Sequence, residues 1–170
     1  MMLISQKKGL ELLAKRKESY KKQIASFESK ANDCLTCDTP GACCLDAHFV
    51  NVRISRLEAV AINRTLKEHT PEKQSDIYRR IEKAVETYKL SDDGHETYAC
   101  PLFEKGTGCL VHREGKPLPC ITHACYESEV DLPPDELHSL EEGAIDRLNE
   151  QVYGRGQAWL PLPLALLKYR

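Results

Sequence analysis

All eight cysteines of the chain fall into two short groups. CLTCDTPGACC has four of them within eleven residues, and CPLFEKGTGCLVHREGKPLPCITHAC has the other four. Thiolates bind zinc and iron–sulfur clusters, and two cysteines separated by two residues can hold one ion from a tight turn. The grouping predicts a metal site at which the two groups fold together. The candidate ligands are Cys34, Cys37, Cys43, Cys44, Cys100, Cys109, Cys120 and Cys125.

Other interpretations of the cysteines carry less weight. An even number of cysteines permits a disulfide framework, but disulfides are rare in a reducing cytosol. Buried free cysteines can act as small apolar side chains, and one of Cys43 and Cys44 suits this role because adjacent residues bind one small ion awkwardly. A catalytic cysteine would need a histidine partner such as His95, His112 or His123, yet no nucleophile motif surrounds these residues.

The spacing leaves the identity of the metal open. Four thiolates satisfy either a tetrahedral zinc ion or a [4Fe–4S] cluster. Whether Cys125, His112 or His123 joins the ligand set also stays open at this stage. The segments 34–50 and 100–125 read as loops with few apolar residues of their own. Bound metal is therefore expected to contribute folding free energy.

Composition restricts the classes of protein to consider. The chain has 170 residues, of which 41% are apolar and 29% charged, and its formal net charge is -2. A domain that grips nucleic acid is usually strongly basic, so nucleic-acid binding is not expected. No apolar run reaches the length of a membrane span, and the N-terminus lacks the features of a secretory signal. A cytoplasmic location is predicted.

The elements that must position the cysteines are mainly helical. We expect a small, mainly α single domain, 1–170, in which an irregular cysteine-rich metal-binding region joins the helices. Its parts would be an N-terminal helix within 1–31, a metal-binding core over 32–126, and a C-terminal helix with an apolar tail over 127–170.

Local signals place the boundaries of the individual helices. Ser55 followed by Glu58 predicts a capping box, and Thr70 before Pro71 predicts a second helix start. Asp135 is expected to cap a helix that runs through Tyr153. Short strands are expected at CLVH and CITH, and the tail AWLPLPLALLKYR is expected to pack into the core.

The motifs CLTCDTPGACC, VRISRLEAVAI, CPLF, GCLV and KPLPC together resemble the YkgJ-type family of cysteine-cluster proteins, which are described as zinc- or iron-chelating. The similarity covers about half of the chain, from Cys34 to Cys120. It implies metal binding, and it matches Glu58 to the family's helix glutamate. The ligands that the resemblance implies are Cys34, Cys37, Cys43, Cys44, Cys100, Cys109 and Cys120.

Three functions remain open from the sequence. The first is a metal-binding module whose metal staples the loops and whose helices bind a protein partner. The second is an iron–sulfur redox or protein-modifying enzyme, since related cysteine patterns occur in a bacterial flagellin lysine methylase. The third is a metal carrier or sensor. No catalytic residue is assigned, because no familiar catalytic motif is present.

Overall fold

The structure is a computed structural model that describes residues 3–32, 38–47, 50–123 and 125–170. The described residues are mainly helical, which confirms the predicted fold class. Their helices are α1 (Gln6–Glu28), α2 (Ala42–Leu45), α3 (Arg56–Leu66), α4 (Pro71–Tyr88), α5 (Leu118–Thr122), α6 (Asp135–Tyr153) and α7 (Leu162–Lys168), with one 3-10 turn at Glu129–Asp131. Their strands are β1 (Arg53–Ile54), β2 (Phe103–Glu104), β3 (Gly108–Cys109) and β4 (Leu160–Pro161).

The long helix α1 is amphipathic. Ser5 caps it by accepting a hydrogen bond from the amide of Lys8, which satisfies one of the free amides of the first turn. Leu10, Leu13 and Tyr20 are buried on one face, and this face packs against α3 and α6. The N-terminal helix that the sequence predicts is therefore present, and its buried residues recur at helical spacing.

The two central helices begin where the capping signals place them. Ser55 and Glu58 form the predicted capping box at the start of α3. Thr70 caps α4 with Pro71 at its first position, also as predicted. Helix α3 lies against α1, α6 and α7, so it forms the centre of the helical layers.

The expected strands in the second cysteine group are largely wrong. CITH lies mostly within α5, and of CLVH only Cys109 belongs to a strand, β3. Short apolar runs do not distinguish helix from strand by periodicity. Pro117 and Pro119 decide for helix in the first case, since proline suits the start of a helix. The C-terminal helix α6 begins at Asp135, but Pro134 occupies its capping position.

The apolar tail packs into the core, as expected. Strand β4 pairs antiparallel with β1, with Ile54 opposite Leu160. The side-chain amide of Asn63, on α3, donates to the carbonyls of Leu166 at 3.0 Å and Tyr169 at 3.1 Å. These bonds hold α7 against α3.

The second cysteine segment contributes substantially to the core, and the expectation that it is poor in apolar residues is wrong. Leu102 and Val111 are buried in one apolar cluster with the inner faces of α3, α4 and α7. Leu118 and Ile121 are buried in a second cluster with α1 and α6. Apolar burial, at about 25 cal/mol per Å², therefore fixes much of this segment without metal.

None of the helices in the described ranges combines the length and the apolar character of a membrane-spanning helix. The cytoplasmic location stays a prediction.

Candidate metal centre

Six of the eight predicted ligands fall within the described part of the chain. They are Cys43, Cys44, Cys100, Cys109, Cys120 and Cys125. The two remaining ligands, Cys34 and Cys37, lie outside the described residues.

A glycine places the adjacent cysteines. Cys43 and Cys44 lie in the short helix α2, whose capping residue Gly41 has a φ of 79°. This left-handed conformation favours glycine. A Cβ atom on Gly41 would also overlap the ring of Phe103, at the start of β2. The absence of a side chain at Gly41 thus allows the first cysteine group to lie directly against the second.

Backbone hydrogen bonds join the two groups. The amide of Cys100 donates to the carbonyl of Cys44 at 2.7 Å. In the antiparallel pair β2–β3, Phe103 lies opposite Cys109. The same residue, Phe103, therefore contacts the start of the α2 helix and pairs with the strand that carries Cys109. Folding therefore brings the described cysteines of the first group, Cys43 and Cys44, to the second group, as the clustering predicts.

A buried carboxylate positions the helix that carries Cys120. Glu58, fully buried on α3, accepts a hydrogen bond from the amide of Leu118 at 3.0 Å, in the first turn of α5. The ammonium of Lys17 lies 2.8 Å from the same oxygen and also donates to the carbonyl of Lys116 at 2.9 Å. One ion pair between α1 and α3 therefore holds both sides of the turn that leads to Cys120.

The electrostatics of the thiols show which of them are neighbours. A hydrogen bond from the Cys44 thiol lowers the pKa of Cys43 to about 6, and the same bond raises the pKa of Cys44. Burial, followed by the charge of Cys109, raises the pKa of Cys100 to about 11. Burial and the charges of Cys100 and Cys109 raise the pKa of Cys120.

Crowded thiolates repel one another in a partly buried site, and a bound cation removes this repulsion. The donor chemistry of the site therefore fits a thiophilic metal. In the described part of the chain, no three Cys, His, Asp or Glu side chains are arranged to hold one ion together.

The positively charged side chain of Arg80 lies close to Cys100. Nη1 of Arg80, on α4, lies 3.5 Å from the carbonyl of Phe103, and the charge of Arg80 lowers the pKa of Cys100 against the larger effect of burial. Nη2 of Arg80 is buried and has no hydrogen-bond partner within the described ranges. An unsatisfied guanidinium donor next to thiols is suited to a site that becomes anionic when its ligands lose protons.

The three residues whose role as ligands is open, Cys125, His112 and His123, lie at different places in the structure. The amide of Asn32, two positions before Cys34 in the sequence, donates to the carbonyl of Cys125 at 2.7 Å. His112 is exposed, and its amide donates to the carbonyl of Cys109 at 3.1 Å. His123 caps the end of α5, where its ring lies 5.5 Å from that of His138.

Several residues that shape the site belong to none of the predicted motifs. Lys17 lies on the buried face of α1, among apolar residues. A lysine at such a position is the feature of the sequence that could have indicated a buried ion pair. Lys116 lowers the pKa of Cys43 and of Cys120 through its charge. Arg80 carried no signal, because its neighbours come from a distant segment.

Comparison with protein-family models, curated proteins and solved structures finds no match for the chain. Membership of the YkgJ-type family therefore stays a prediction.

Proposed function

We propose that this protein binds a metal through a cluster of cysteine thiolates. The described residues that would hold it are Cys43, Cys44, Cys100, Cys109 and Cys120. Cys34, Cys37 and Cys125 are predicted to join them on the basis of their place in the two cysteine groups. The hydrogen bond from Cys100 to the carbonyl of Cys44 supports the proposal most directly, since it connects the two groups that the sequence keeps apart.

The metal would join an irregular segment to a packed core. In its described part, the first group meets the second through α2, through the close approach at Gly41 and through the backbone bond from Cys100 to Cys44, whereas the second group carries buried apolar residues. A metal bound by both groups would hold the first group in place, which is the work of a structural centre. The donor set suits zinc and a [4Fe–4S] cluster equally, because each takes four thiolates.

The first experiment is elemental analysis with a visible absorption spectrum on protein purified without oxygen. About one or two zinc ions per chain, with no visible absorption, would identify a structural zinc centre. Iron and sulfide in equal amounts, with a brown colour, would identify a cluster and direct attention to redox chemistry. Protein without zinc, iron or another bound transition metal would contradict the proposal.

Ligand substitutions test the residues. Cys109→Ser and Cys120→Ser are expected to lose most of the bound metal, because serine oxygen is a poor ligand for thiophilic metals. Val111→Ala is the matched control, since Val111 lies between these cysteines and is buried, yet offers no ligand. It is expected to lower stability by packing loss while keeping the metal. Full metal content in both cysteine variants would overturn the ligand assignment.

A further inference from the structure

Two histidines from separate elements face each other at the end of α5. His123 is the residue that ends α5, and His138 lies in the first turns of α6. Their ring centroids are 5.5 Å apart, and the ring planes are tilted by 54°. His123 is exposed and His138 is half-buried, so an ion from solvent can reach both rings.

The separation of the rings suits a shared ion. At a Zn–N distance of about 2.0–2.1 Å, two imidazoles on one tetrahedral ion have centroids roughly 5.3 Å apart. The observed separation agrees with this value to within a few tenths of an ångström. Two rings that packed face to face would instead have nearly parallel planes. The centroid separation of the pair is therefore one that a shared ion would require.

A hydrogen bond fixes one of the rings. Nδ1 of His138 lies 2.8 Å from the hydroxyl of Thr122, which also contacts the hydroxyl of Tyr20 at 3.0 Å and the carbonyl of Leu118 at 3.2 Å. When Thr122 gives its single proton to that carbonyl, both Tyr20 and His138 donate to Thr122. His138 then carries its proton on Nδ1, and its Nε2 presents a lone pair. Histidine ligands usually have such an outer hydrogen bond.

Negative charge lies close to the pair. Asp135 is three residues before His138 on α6, and residues at this spacing share a helix face. The charge of its carboxylate raises the pKa of His123, against the larger lowering effect of burial. The described residues hold no group of three ligands, so Asp135 contributes charge rather than a third bond.

We propose that His123 and His138 form a second, exchangeable site for a zinc-class divalent cation, with water completing the coordination. The site uses imidazole nitrogen, which binds zinc, nickel and copper, and it does not rest on the thiolate centre. An ion bound there would tie the end of α5, the helix that carries Cys120, to the start of α6.

Histidine-ring NMR during a titration of the purified protein with Zn²⁺ tests the site. The ring signals of His123 and His138 are expected to shift together and to saturate together. The affinity for Zn²⁺ at this site should fall by at least about tenfold in His123→Gln or His138→Gln, since one of two nitrogen ligands is lost. His95→Gln, at an exposed position, is the matched control and should change neither the shifts nor the affinity.

Variants of Thr122 separate a metal-binding role from simple packing. Thr122→Val removes the bond to His138 and should weaken zinc binding by about tenfold or more, whereas Thr122→Ser should keep it. Ring signals of the wild type that ignore Zn²⁺, or that respond independently, would overturn the proposal even if a variant failed to fold. Because only the histidine-ring signals are measured, neither result bears on whether metal binds at the thiolate centre.

Discussion

Replacing Glu58 with glutamine should destabilise the protein and loosen the helix that carries Cys120. Glu58 is fully buried, and one of its oxygens accepts from the amide of Leu118 while it pairs with the ammonium of Lys17. The other oxygen accepts from the amide and, more distantly, the hydroxyl of Ser55 at 3.3 and 3.4 Å. Glutamine keeps one acceptor oxygen, but its second polar atom belongs to an NH2 group. This group is itself a donor, so it cannot accept a hydrogen bond from the donors that surround Glu58.

The magnitude follows from the burial of both partners. The Lys17 side chain is only 10% exposed, so Glu58→Gln leaves a buried ammonium without its counter-ion. Breaking a buried ion pair by removing one partner costs about 3–5 kcal/mol. Because Lys17 keeps its bond to the carbonyl of Lys116, the lower end applies, about 3 kcal/mol. At about 2–4 °C per kcal/mol for a chain of this size, the melting temperature should fall by roughly 6–12 °C.

Urea unfolding followed by circular dichroism measures this change in the free energy of unfolding. Glu72→Gln provides the matched control, because Glu72 lies in the first turn of α4 but is exposed. The control should change stability by less than about 0.5 kcal/mol. A loss below about 1 kcal/mol in Glu58→Gln would refute the buried ion pair as a determinant of stability.

A double substitution isolates the pair itself. Lys17→Met in the Glu58→Gln background removes the stranded ammonium and keeps most of the side-chain volume. The double variant should therefore be less destabilised than the sum of the two single variants, by about 1–3 kcal/mol. Strict additivity would show that Lys17 and Glu58 contribute to stability separately.

Two further predictions concern the adjacent cysteines. Gly41→Ala should lower the free energy of unfolding by about 1–3 kcal/mol more than Gly106→Ala. Both glycines have positive φ, but only Gly41 lies against the ring of Phe103. Equal urea midpoints for the two variants would contradict this close approach. In metal-free protein, alkylation of Cys43 by iodoacetamide should rise with pH and become half-maximal near its pKa of about 6, while Cys44 resists, because the thiolate is the nucleophile. Peptide mass spectrometry measures both residues, and a Cys43 midpoint near the ordinary pKa of 9.0 would exclude the hydrogen bond between them.

Local chemistry explains which parts of the fold were predictable. The capping box at Ser55 and the Thr70–Pro71 start require only neighbouring residues, and both lie where the sequence places them. The helical nature of CITH depended on Pro119 and on an acceptor, Glu58, which is sixty positions away from Leu118. A bond of that range has no signature in the segment itself, so the strand prediction failed there.

The candidate site also has features that could be predicted from the sequence and features that could not. Clustering of the cysteines predicted that the two groups meet, and the bond between Cys100 and Cys44 joins them. The surroundings of the thiols were not predictable, since Arg80 and Lys17 are brought to the site by separate helices. The pair formed by His123 and His138 was missed for the same reason, because only the packing of α5 on α6 sets the distance between the rings.

The two cysteine groups are held by different forces, and this difference bears on how metal would act. The second group is fixed by apolar burial of Leu102 and Leu118 and by the bond from Leu118 to Glu58, so its thiols are placed without metal. The first group has no fully buried apolar side chain in its described part and approaches through Gly41. Under the proposed function, a bound metal would therefore connect the packed second group to a first group that lacks such apolar anchoring in its described part. Its stabilising effect would act mainly on that segment, while the helical core stands on its own packing.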